Sequence, residues 1–220
     1  MDKMTTFKGM LLGFMVAALA ACASTGGDIG GLFPAPKFLK GDIEGNVYTA
    51  KDKRFTVSVP HVQGSYEYTY MQVKEQYGTV EDYLSFGPAA INQSIYRIDF
   101  VTAPTGQSLP DLDTVAPKML KVVEQEAQGA YGGTITAGDQ TKLAIGGHNA
   151  YHWELTQTVP KGKLANVAVD LVHQVYQIDF GRSMATIWVQ IEVGNPIAGA
   201  LTPEQFAESL KLVDVPATAH

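Results

Sequence analysis

The sequence predicts an α+β protein built mainly from antiparallel β-sheet, and two observations lead to this prediction. From Asn46 onward, apolar and polar residues alternate with a period of two in many short segments, as in strands with one buried face. Gly, Pro and Asp turn residues separate most of these segments, and strand and helix patterns do not alternate, so neighbouring strands are expected to run antiparallel. The chain has 220 residues, of which 45% are hydrophobic, enough for one domain with appendages.

The amino-terminal segment has the pattern of a secretory signal peptide. Lys3 and Lys8 precede an apolar run of 12 residues over 10–21. A run of this length is shorter than the roughly 20 residues needed to span a bilayer. We therefore predict that residues 1–21 are a signal peptide that is removed from the mature protein.

The end of this segment, Leu19-Ala20-Ala21-Cys22, resembles the lipobox of bacterial lipoproteins. The resemblance implies cleavage between Ala21 and Cys22, diacylglycerol on the Cys22 thiol and acylation of the new amino group. The alternative is an ordinary signal peptide followed by a chance cysteine, but Cys22 is the only cysteine in the chain. Two or three acyl chains hold a protein stably in a bilayer, at about 0.8 kcal/mol for each buried methylene.

The residue after the cysteine bears on the membrane to which the protein is sorted. In bacterial lipoproteins an aspartate at this position tends to retain the protein in the inner membrane, and this chain has Ala23 there. The resemblance therefore implies an anchor in the outer membrane, facing the periplasm, rather than in the inner membrane.

Residues 22–45 have the composition of a flexible tether. Residues 23–45 hold six glycines and two prolines without a helical or strand period. A coil of this length has a root-mean-square reach of about 25 Å. Its two apolar pairs, Leu32-Phe33 and Phe38-Leu39, either pack on the domain or contact lipid or a partner. The folded domain is then predicted over residues 46–216.

Period-two alternation marks the predicted strands. In the segment 54–60, for example, Phe55, Val57 and Val59 alternate with Thr56 and Ser58. The other segments with strand patterns are 66–70, 83–86, 95–102, 134–136, 142–145, 149–158, 165–180 and 183–193.

Two segments have the pattern of amphipathic helices instead. In the first, an apolar stripe runs from Leu112 to Ala127, with Thr114 as the expected N-cap, Pro117 in the first turn and Gly129 as the stop. In the second, Thr202-Pro203-Glu204-Gln205 predicts a capping box with proline at the first helical position.

The strand register is predicted from the apolar pattern around two turns. A turn at 160–163 places Trp153 opposite Val169 and His152 opposite Asp170, with apolar pairs on one face. Around a second turn at 181–182, the apolar residues of the shared strand fall on the opposite face. We therefore expect a bulge near 172–175 that changes which residues point to each face.

The segment 52–60 resembles the opening strand of the PsbP/Mog1-like superfamily, which includes DcrB-like bacterial lipoproteins. The mid-chain helix, the turn over 143–147 and a last helix with Phe206, Ser209 and Leu212 fit the same layout. The resemblance covers roughly residues 46–215 and rests mostly on turn and core residues. It implies an antiparallel sheet sandwiched by helices in a binding or assembly protein, with no catalytic residue to carry over.

Motifs of catalysis do not stand out in this sequence. It contains no GxSxG, HExxH, P-loop or dinucleotide-binding glycine motif. His148 and His152 would lie about 13 Å apart along one strand, too far to bind one ion, so we expect no metal and no cofactor. If Asp170 lies opposite His152, it could orient the imidazole as a general base. We favour the alternative, a polar cross-strand pair on a solvated face, because no nucleophile is evident nearby.

Tyr66, Tyr68 and Tyr70, with Tyr77, form the densest aromatic cluster. Such a cluster either packs in the core or at a sheet edge, or forms a binding surface, because tyrosine is favoured at interfaces. We name the first three residues as the candidate binding surface.

Charge excludes one class of partner. Loss of Asp2, Lys3 and Lys8 with the signal peptide would leave 14 basic and 21 acidic side chains, a formal net charge of −7. Phosphate backbones repel such a surface, so nucleic acid is not an expected partner. We predict a membrane-anchored periplasmic lipoprotein that acts as a non-catalytic binding or envelope-assembly module with an envelope protein partner. The alternatives are a carrier of a small apolar or lipid ligand, and a periplasmic hydrolase using His152 or His148.

Overall fold

The computed structural model describes residues 37–38, 41–50, 53–60, 66–74, 80–88, 94–103 and 106–213, and for 37–38, 66–74, 80–83 and 87–88 it describes the backbone. All of these residues belong to one compact unit, Ala35–His220. Neither of the two helices in this part of the chain is long and apolar enough to cross a membrane. The elements are β1 (Lys37–Phe38), β2 (Asp42–Glu44), β3 (Val47–Thr49), β4 (Phe55–Ser58), β5 (Tyr66–Lys74), β6 (Val80–Pro88), β7 (Ile95–Thr102), α1 (Leu112–Tyr131), β8 (Thr134–Ala137), β9 (Thr141–Ile145), β10 (His148–Val159), β11 (Val169–Asp179), β12 (Ser183–Glu192), α2 (Pro203–Ser209) and β13 (Lys211–Leu212).

The described strands form two antiparallel sheets. The large sheet has nine strands in the order β1-β5-β6-β7-β12-β11-β10-β8, with β9 also paired to β10. The small sheet has four strands in the order β13-β4-β3-β2. The prediction of an α+β fold built mainly from antiparallel sheet is therefore confirmed.

The two faces of the large sheet pack against different partners. One face, which carries Ile98, Tyr176 and Ile187, packs on the small sheet and α2, and we call it the sandwich face. The opposite face, which carries Trp153, His173 and Trp188, lies under α1, and we call it the helix face. The layers are thus α1, the large sheet, and then the small sheet together with α2.

Aromatic contacts join the layers on the sandwich face. Phe55 of the small sheet stacks on Phe100 at a centroid distance of 6.0 Å, and Phe206 of α2 meets the edge of Tyr96 at 5.2 Å. Phe55 and Phe206 are fully buried. Since burying one such side chain contributes roughly 1.5–3 kcal/mol, this cluster is a main source of domain stability.

Helix α1 begins and ends at different residues from those expected. Asp111, not Thr114, is the N-cap, and its carboxylate accepts from the Thr114 backbone N–H at 2.8 Å. Pro117 therefore lies in the second turn, and the helix passes through Gly129 to Tyr131, where Gly132 caps it. Asp111 and Thr114 are both good capping residues three positions apart, so composition does not distinguish them.

Helix α2 has the predicted capping box. The Thr202 hydroxyl accepts from the backbone N–H of Gln205 at 3.2 Å, and the Gln205 side chain accepts from the Thr202 backbone N–H at 3.0 Å. Pro203 takes the first helical position. The box fixes where α2 starts, and so which side chains of this short helix face solvent.

The predicted register of β10 and β11 is wrong by six residues. His152 lies opposite Tyr176, and Asp170 lies opposite Thr158. A shift by an even number keeps every side chain on its own face, so the apolar pattern cannot exclude it. The connection over 160–168 is also longer than the four-residue turn expected from Pro160 and Gly162.

The hairpin at 181–182 is confirmed, but the bulge expected near 172–175 is absent. Strand β11 pairs continuously with β10 and with β12 through this stretch. Because β11 buries Val175 and Gln177 on one face and Tyr176 and Ile178 on the other, no change of phase is needed. A bulge occurs instead at the sheet edge, where residues 138–140 lie opposite 153–154.

The folded domain starts earlier than the predicted boundary at residue 46. Phe38 in β1 pairs with Met71, and β2 (Asp42–Glu44) joins the small sheet. The predicted tether over 22–45 is therefore too long at its carboxy-terminal end. Strands of two or three residues are too short to show a period, so the sequence pattern does not distinguish them from a linker. The predicted signal peptide over 1–21 lies outside the described residues.

Candidate functional site

The residues predicted to matter most for function lie partly outside the described chain. Ala21 and Cys22 are outside it. Tyr66, Tyr68 and Tyr70 lie in β5, as expected from their alternation, with Pro88, Phe86 and Leu84 of β6 as backbone partners. The side chains of these three tyrosines, on which the predicted binding surface depends, lie outside the described part of the structure.

The predicted pair of His152 and Asp170 does not form. The His152 ring stacks on Tyr176 at a centroid distance of 4.6 Å, and its Nε2 lies 2.5 Å from Oε1 of Gln174. Asp170 instead accepts a hydrogen bond from the Thr158 hydroxyl at 2.8 Å. The six-residue register difference separates the two side chains, so Asp170 cannot orient His152 as a general base.

A buried polar network lies on the helix face, where sequence alone predicted no site. Its centre is His173, which is fully buried with Gln157 beside it. Trp188 Nε1–H donates to His173 Nδ1 at 3.0 Å, and His173 Nε2 lies 2.9 Å from Oε1 of Gln157. Since indole is only a donor, Nδ1 must be unprotonated, and the proton sits on Nε2.

The environment of His173 keeps its ring neutral. Burial lowers the pKa of His173 from its usual 6.5 to about 4, because a charged ring would lose its hydration. Protonation at Nδ1 would also break the hydrogen bond from Trp188. His173 is thus a fixed hydrogen-bonding group at neutral pH and holds one tautomer.

The network continues into helix α1 through Gln157. Its side-chain amide donates to the carbonyl oxygens of Ala127 and Gly132, at 3.0 and 2.8 Å. Gly132 is the C-cap of α1, and Ala127 lies about one turn before the end of the helix. Gln157 therefore attaches the end of α1 to the sheet.

Charged groups occupy the other end of the same face. Arg97 bonds Glu126 of α1 at 2.6 Å and Asp99 of its own strand at 2.7 Å, and its guanidinium lies 5.3 Å from the Trp188 ring centre. Burial raises the pKa of Asp99 and of Glu126, and the positive charge of Arg97 partly offsets this rise. The cluster joins α1 to β7, and we assign it a structural role.

A second region with functional chemistry surrounds α2, on the opposite side of the large sheet. A groove of about 320 Å³ lies between α2 and the outer side of the small sheet. The Ser209 hydroxyl accepts from the Ser58 backbone N–H at 3.1 Å and so joins helix and strand. The groove is lined by Val47, Thr56, Val57, Ser58, Gln205, Glu208, Ser209 and Lys211.

Tyr176 of β11 belongs to the same buried core as Phe206 of α2. Tyr176 is 5% exposed, and its pKa is raised to about 12, first by burial and then by the negative charges of Glu204 and Glu208. Both glutamates are exposed and lie four residues apart on α2. The rings of His152 and Tyr176 are brought together from β10 and β11, where they stack at a centroid distance of 4.6 Å. The period-two pattern contained Tyr176 and His152, but the wrong register hid their pairing.

No protein-family profile matches the chain, and no curated protein matches it significantly.

Proposed function

We propose that the chain is a bacterial lipoprotein, anchored through Cys22 in the outer membrane, whose periplasmic domain binds or assembles with another envelope protein without catalysis. The observation that carries the proposal is Leu19-Ala20-Ala21-Cys22 at the end of a short apolar run, with the only cysteine of the chain at its last position. Two or three acyl chains at that cysteine would hold the domain at the membrane.

A binding role is supported by how the described polar groups are used. His173, Asp99 and Glu126 each have partners that fasten α1 to the sheet. In contrast, the surface around α2 combines a groove with exposed carboxylates. Such a surface suits recognition of a partner, and recognition needs no nucleophile or general base.

We also propose that the domain is PsbP/Mog1-like. The proposal is supported by an antiparallel sheet with a long helix on one face, a strand β4 with alternating burial and a final capped helix that buries Phe206. The corresponding activity in that superfamily would be binding or assembly.

The anchor is tested by fractionating cells that express the wild type, Cys22→Ser or the neighbouring control Ser24→Ala. We expect the wild type and Ser24→Ala in the outer-membrane fraction, and Cys22→Ser released from it because it lacks the thiol that carries the lipid. A Cys22→Ser protein that still sediments with membranes would contradict the proposal.

The binding role is tested by crosslinking in intact cells, followed by mass spectrometry of the captured proteins. We expect a specific envelope protein that is lost in the Cys22→Ser strain. Recovery of a bound lipid without any specific protein would favour the carrier function instead.

A further inference from the structure

We propose that the outer edge of the large sheet, formed by β8 and β9, pairs antiparallel with the same edge of a second copy of this chain. We call residues 134–145 the free edge. The proposal goes beyond the proposed function, because it depends neither on the membrane anchor nor on the envelope partner.

The free edge lies at one end of the large sheet. β8 and β9 follow one another along β10, with the bulge over 138–140 between them, and both pair with β10 on one side. Within the described part of the chain, no strand pairs with their other side. A row of backbone N–H and C=O groups is therefore open along this edge, and such a row is a template for another strand.

In β8, the hydrogen bonds to β10 show which backbone groups point outward. The Gly138 N–H donates to the Glu154 carbonyl oxygen at 2.8 Å, and these two residues continue the register of β8 with β10. Hydrogen-bonded and non-hydrogen-bonded pairs alternate in an antiparallel ladder, so Thr136 bonds β10 as well. The N–H and C=O groups of Ile135 and Ala137 consequently point away from the sheet.

In β9, the turn that joins it to β10 gives the same information. Both glycines of the two-residue turn at 146–147 have positive φ, 58° and 85°, as in a type I′ hairpin. The residues that flank such a turn, Ile145 and His148, bond each other, and the alternation continues along the strand. The N–H and C=O groups of Lys142 and Ala144 therefore point outward.

These outward groups match those of a second copy related by a two-fold axis. With the axis at the midpoint of 139–140, Ile135 faces Ala144 of the second copy, and Ala137 faces Lys142 of the second copy. Each pair occurs twice by symmetry, and each can exchange both hydrogen bonds. All four residues also lie on the helix face, as their partners on β10 show, so the two sheets would join without a change of face.

The ends of the free edge share the same midpoint. The pair Gly132-Gly133 precedes β8, and a second pair of glycines, at 146–147, follows β9 at the same distance from the midpoint. In the proposed register each pair faces the other pair of the second copy. Gly132 and both glycines of the turn have open space where a side chain would lie, so the two ends can approach without a clash. The glycine positions and the hydrogen-bond phase thus give one axis.

The free edge differs from the other edges of the described sheets. β1 and β13 have two residues each, and β2 has three, of which Asp42 and Glu44 are acidic. Short strands, charges and prolines are how proteins prevent pairing of edges. The free edge contains no proline, and its lysine, Lys142, is held by Asp113 at 3.1 Å, with its ammonium 5.1 Å from the Tyr151 ring centre. The bulge falls at the midpoint and leaves the regular segments on both sides open to pairing.

The side chains that would face each other are compatible. Exposed Thr136 lies opposite half-buried Leu143 of the second copy, and both are on the sandwich face. Pairs of β-branched and apolar side chains stabilise antiparallel strands. The charged side chains of the free edge, Asp139 and Lys142, face uncharged residues, so like charges do not oppose each other.

The test measures the mass of the full-length chain in solution by analytical ultracentrifugation. Cys22→Ser serves as the background, so that neither a lipid nor the native cysteine links two chains. One chain has a mass of 23.7 kDa. We expect this value in dilute protein and a rise towards twice this value at up to about 1 mM, where even a weak dimer is populated. A single-chain mass at every concentration would overturn the proposal.

Proline variants test whether the outward backbone groups make the contact. Proline at an outward position removes a donor from the proposed interface but not from the ladder with β10. Ala137→Pro and Ala144→Pro should each weaken dimerisation at least tenfold, while thermal unfolding shows that the domain is folded. Ala137→Ser keeps the N–H and should change dimerisation less than twofold. Unchanged dimerisation in both folded proline variants would overturn the proposal.

Disulfide crosslinking tests the register without proline. Thr136→Cys with Leu143→Cys places two cysteines opposite each other across the proposed interface, whereas along one chain they lie roughly 23 Å apart. We expect a covalent dimer on mild oxidation. Thr136→Cys with Ala144→Cys puts the second cysteine on the other face and should stay monomeric. No covalent dimer in the first variant, or equal amounts in both, would overturn the proposal.

The outcome for the free edge is separate from that for the membrane anchor. All three measurements use the protein in solution, without membrane and without partner. Their failure therefore leaves the membrane-anchor proposal to the Cys22→Ser fractionation.

Discussion

Trp188 donates its indole N–H to Nδ1 of His173, 3.0 Å away, and so fixes the tautomer of a histidine that is fully buried under α1. The hydrogen bonds then continue from His173 through Gln157 to the end of α1. One directional chain of donors thus connects β12, β11 and β10 to the helix. A buried network of this kind specifies the position of the helix only if every member is satisfied.

The first prediction concerns the pH dependence of stability. Burial lowers the folded-state pKa of His173 to about 4, whereas the unfolded chain binds this proton near the usual 6.5. Neutral His173 therefore contributes to the free energy of unfolding fully above pH 6.5, and this contribution is lost as the pH falls from 6.5 to 4. The difference in the free energy of unfolding between wild type and His173→Gln should shrink by about 3 kcal/mol over this range.

Urea unfolding at several pH values measures this difference. The raised pKa values of Asp99 and Glu126 act in the opposite direction, because their folded forms bind protons more readily than the unfolded chain. They remain in both proteins, so the comparison with His173→Gln isolates the histidine. A difference that does not change with pH would show that His173 titrates normally.

The second prediction is that Gln157→Leu destabilises the domain by roughly 1–3 kcal/mol at neutral pH, because the carbonyls of Ala127 and Gly132 lose the Gln157 amide as a donor and buried His173 loses its acceptor. Thr158→Ala, on the exposed face of the same strand, is the control. Hydrogen exchange should show the largest loss of protection at the end of α1. Equal effects of the two substitutions would contradict the attachment of α1 by Gln157.

The third prediction separates two reasons for glycine after α1. Gly132 and Gly133 both have positive φ, 70° and 81°, but a Cβ on Gly133 would also collide with the Thr158 carbonyl oxygen. Alanine at either position should cost roughly 1–3 kcal/mol, because a residue with a Cβ is strained at these positive φ values. In thermal unfolding, Gly133→Ala should therefore lose clearly more stability than Gly132→Ala. A similar loss of stability in both variants would contradict the close approach of Gly133 to Thr158.

Sequence patterns predicted those parts of the fold that short-range features, such as helix caps and alternating burial, determine. Thr202, Pro203 and Gln205 predicted the start of α2, and the alternation of Phe55 and Val57 predicted β4. The register of β10 and β11 could not be deduced, because a shift by six residues preserves the same faces. The choice depends on packing against distant elements, which a single strand pattern does not contain.

The buried network and the contact of His152 with Tyr176 escaped prediction for related reasons. Gln157, His173 and Gln190 are polar residues at buried positions, and without their partners they resemble a solvated face. His152 and Tyr176 meet only in the folded chain, since their contact depends on the register of β10 and β11. Both cases require knowledge of which elements are neighbours.

The fourth prediction tests the register directly. With Cys22→Ser as background, cysteines at Thr158 and Asp170 should form a disulfide on mild oxidation, since these residues lie opposite each other. Cysteines at His152 and Asp170 should stay reduced, because six residues along a strand span about 20 Å. Non-reducing electrophoresis after proteolysis between the strands distinguishes the two, and the reverse result would restore the predicted pairing.

The most direct test of the membrane-anchor proposal is the intact mass of the mature amino terminus isolated from the cell envelope. We predict a chain that begins at Cys22 and carries diacylglycerol on its thiol and an acyl group on its amine. An unmodified cysteine, or a chain that still begins at Met1, would contradict the account.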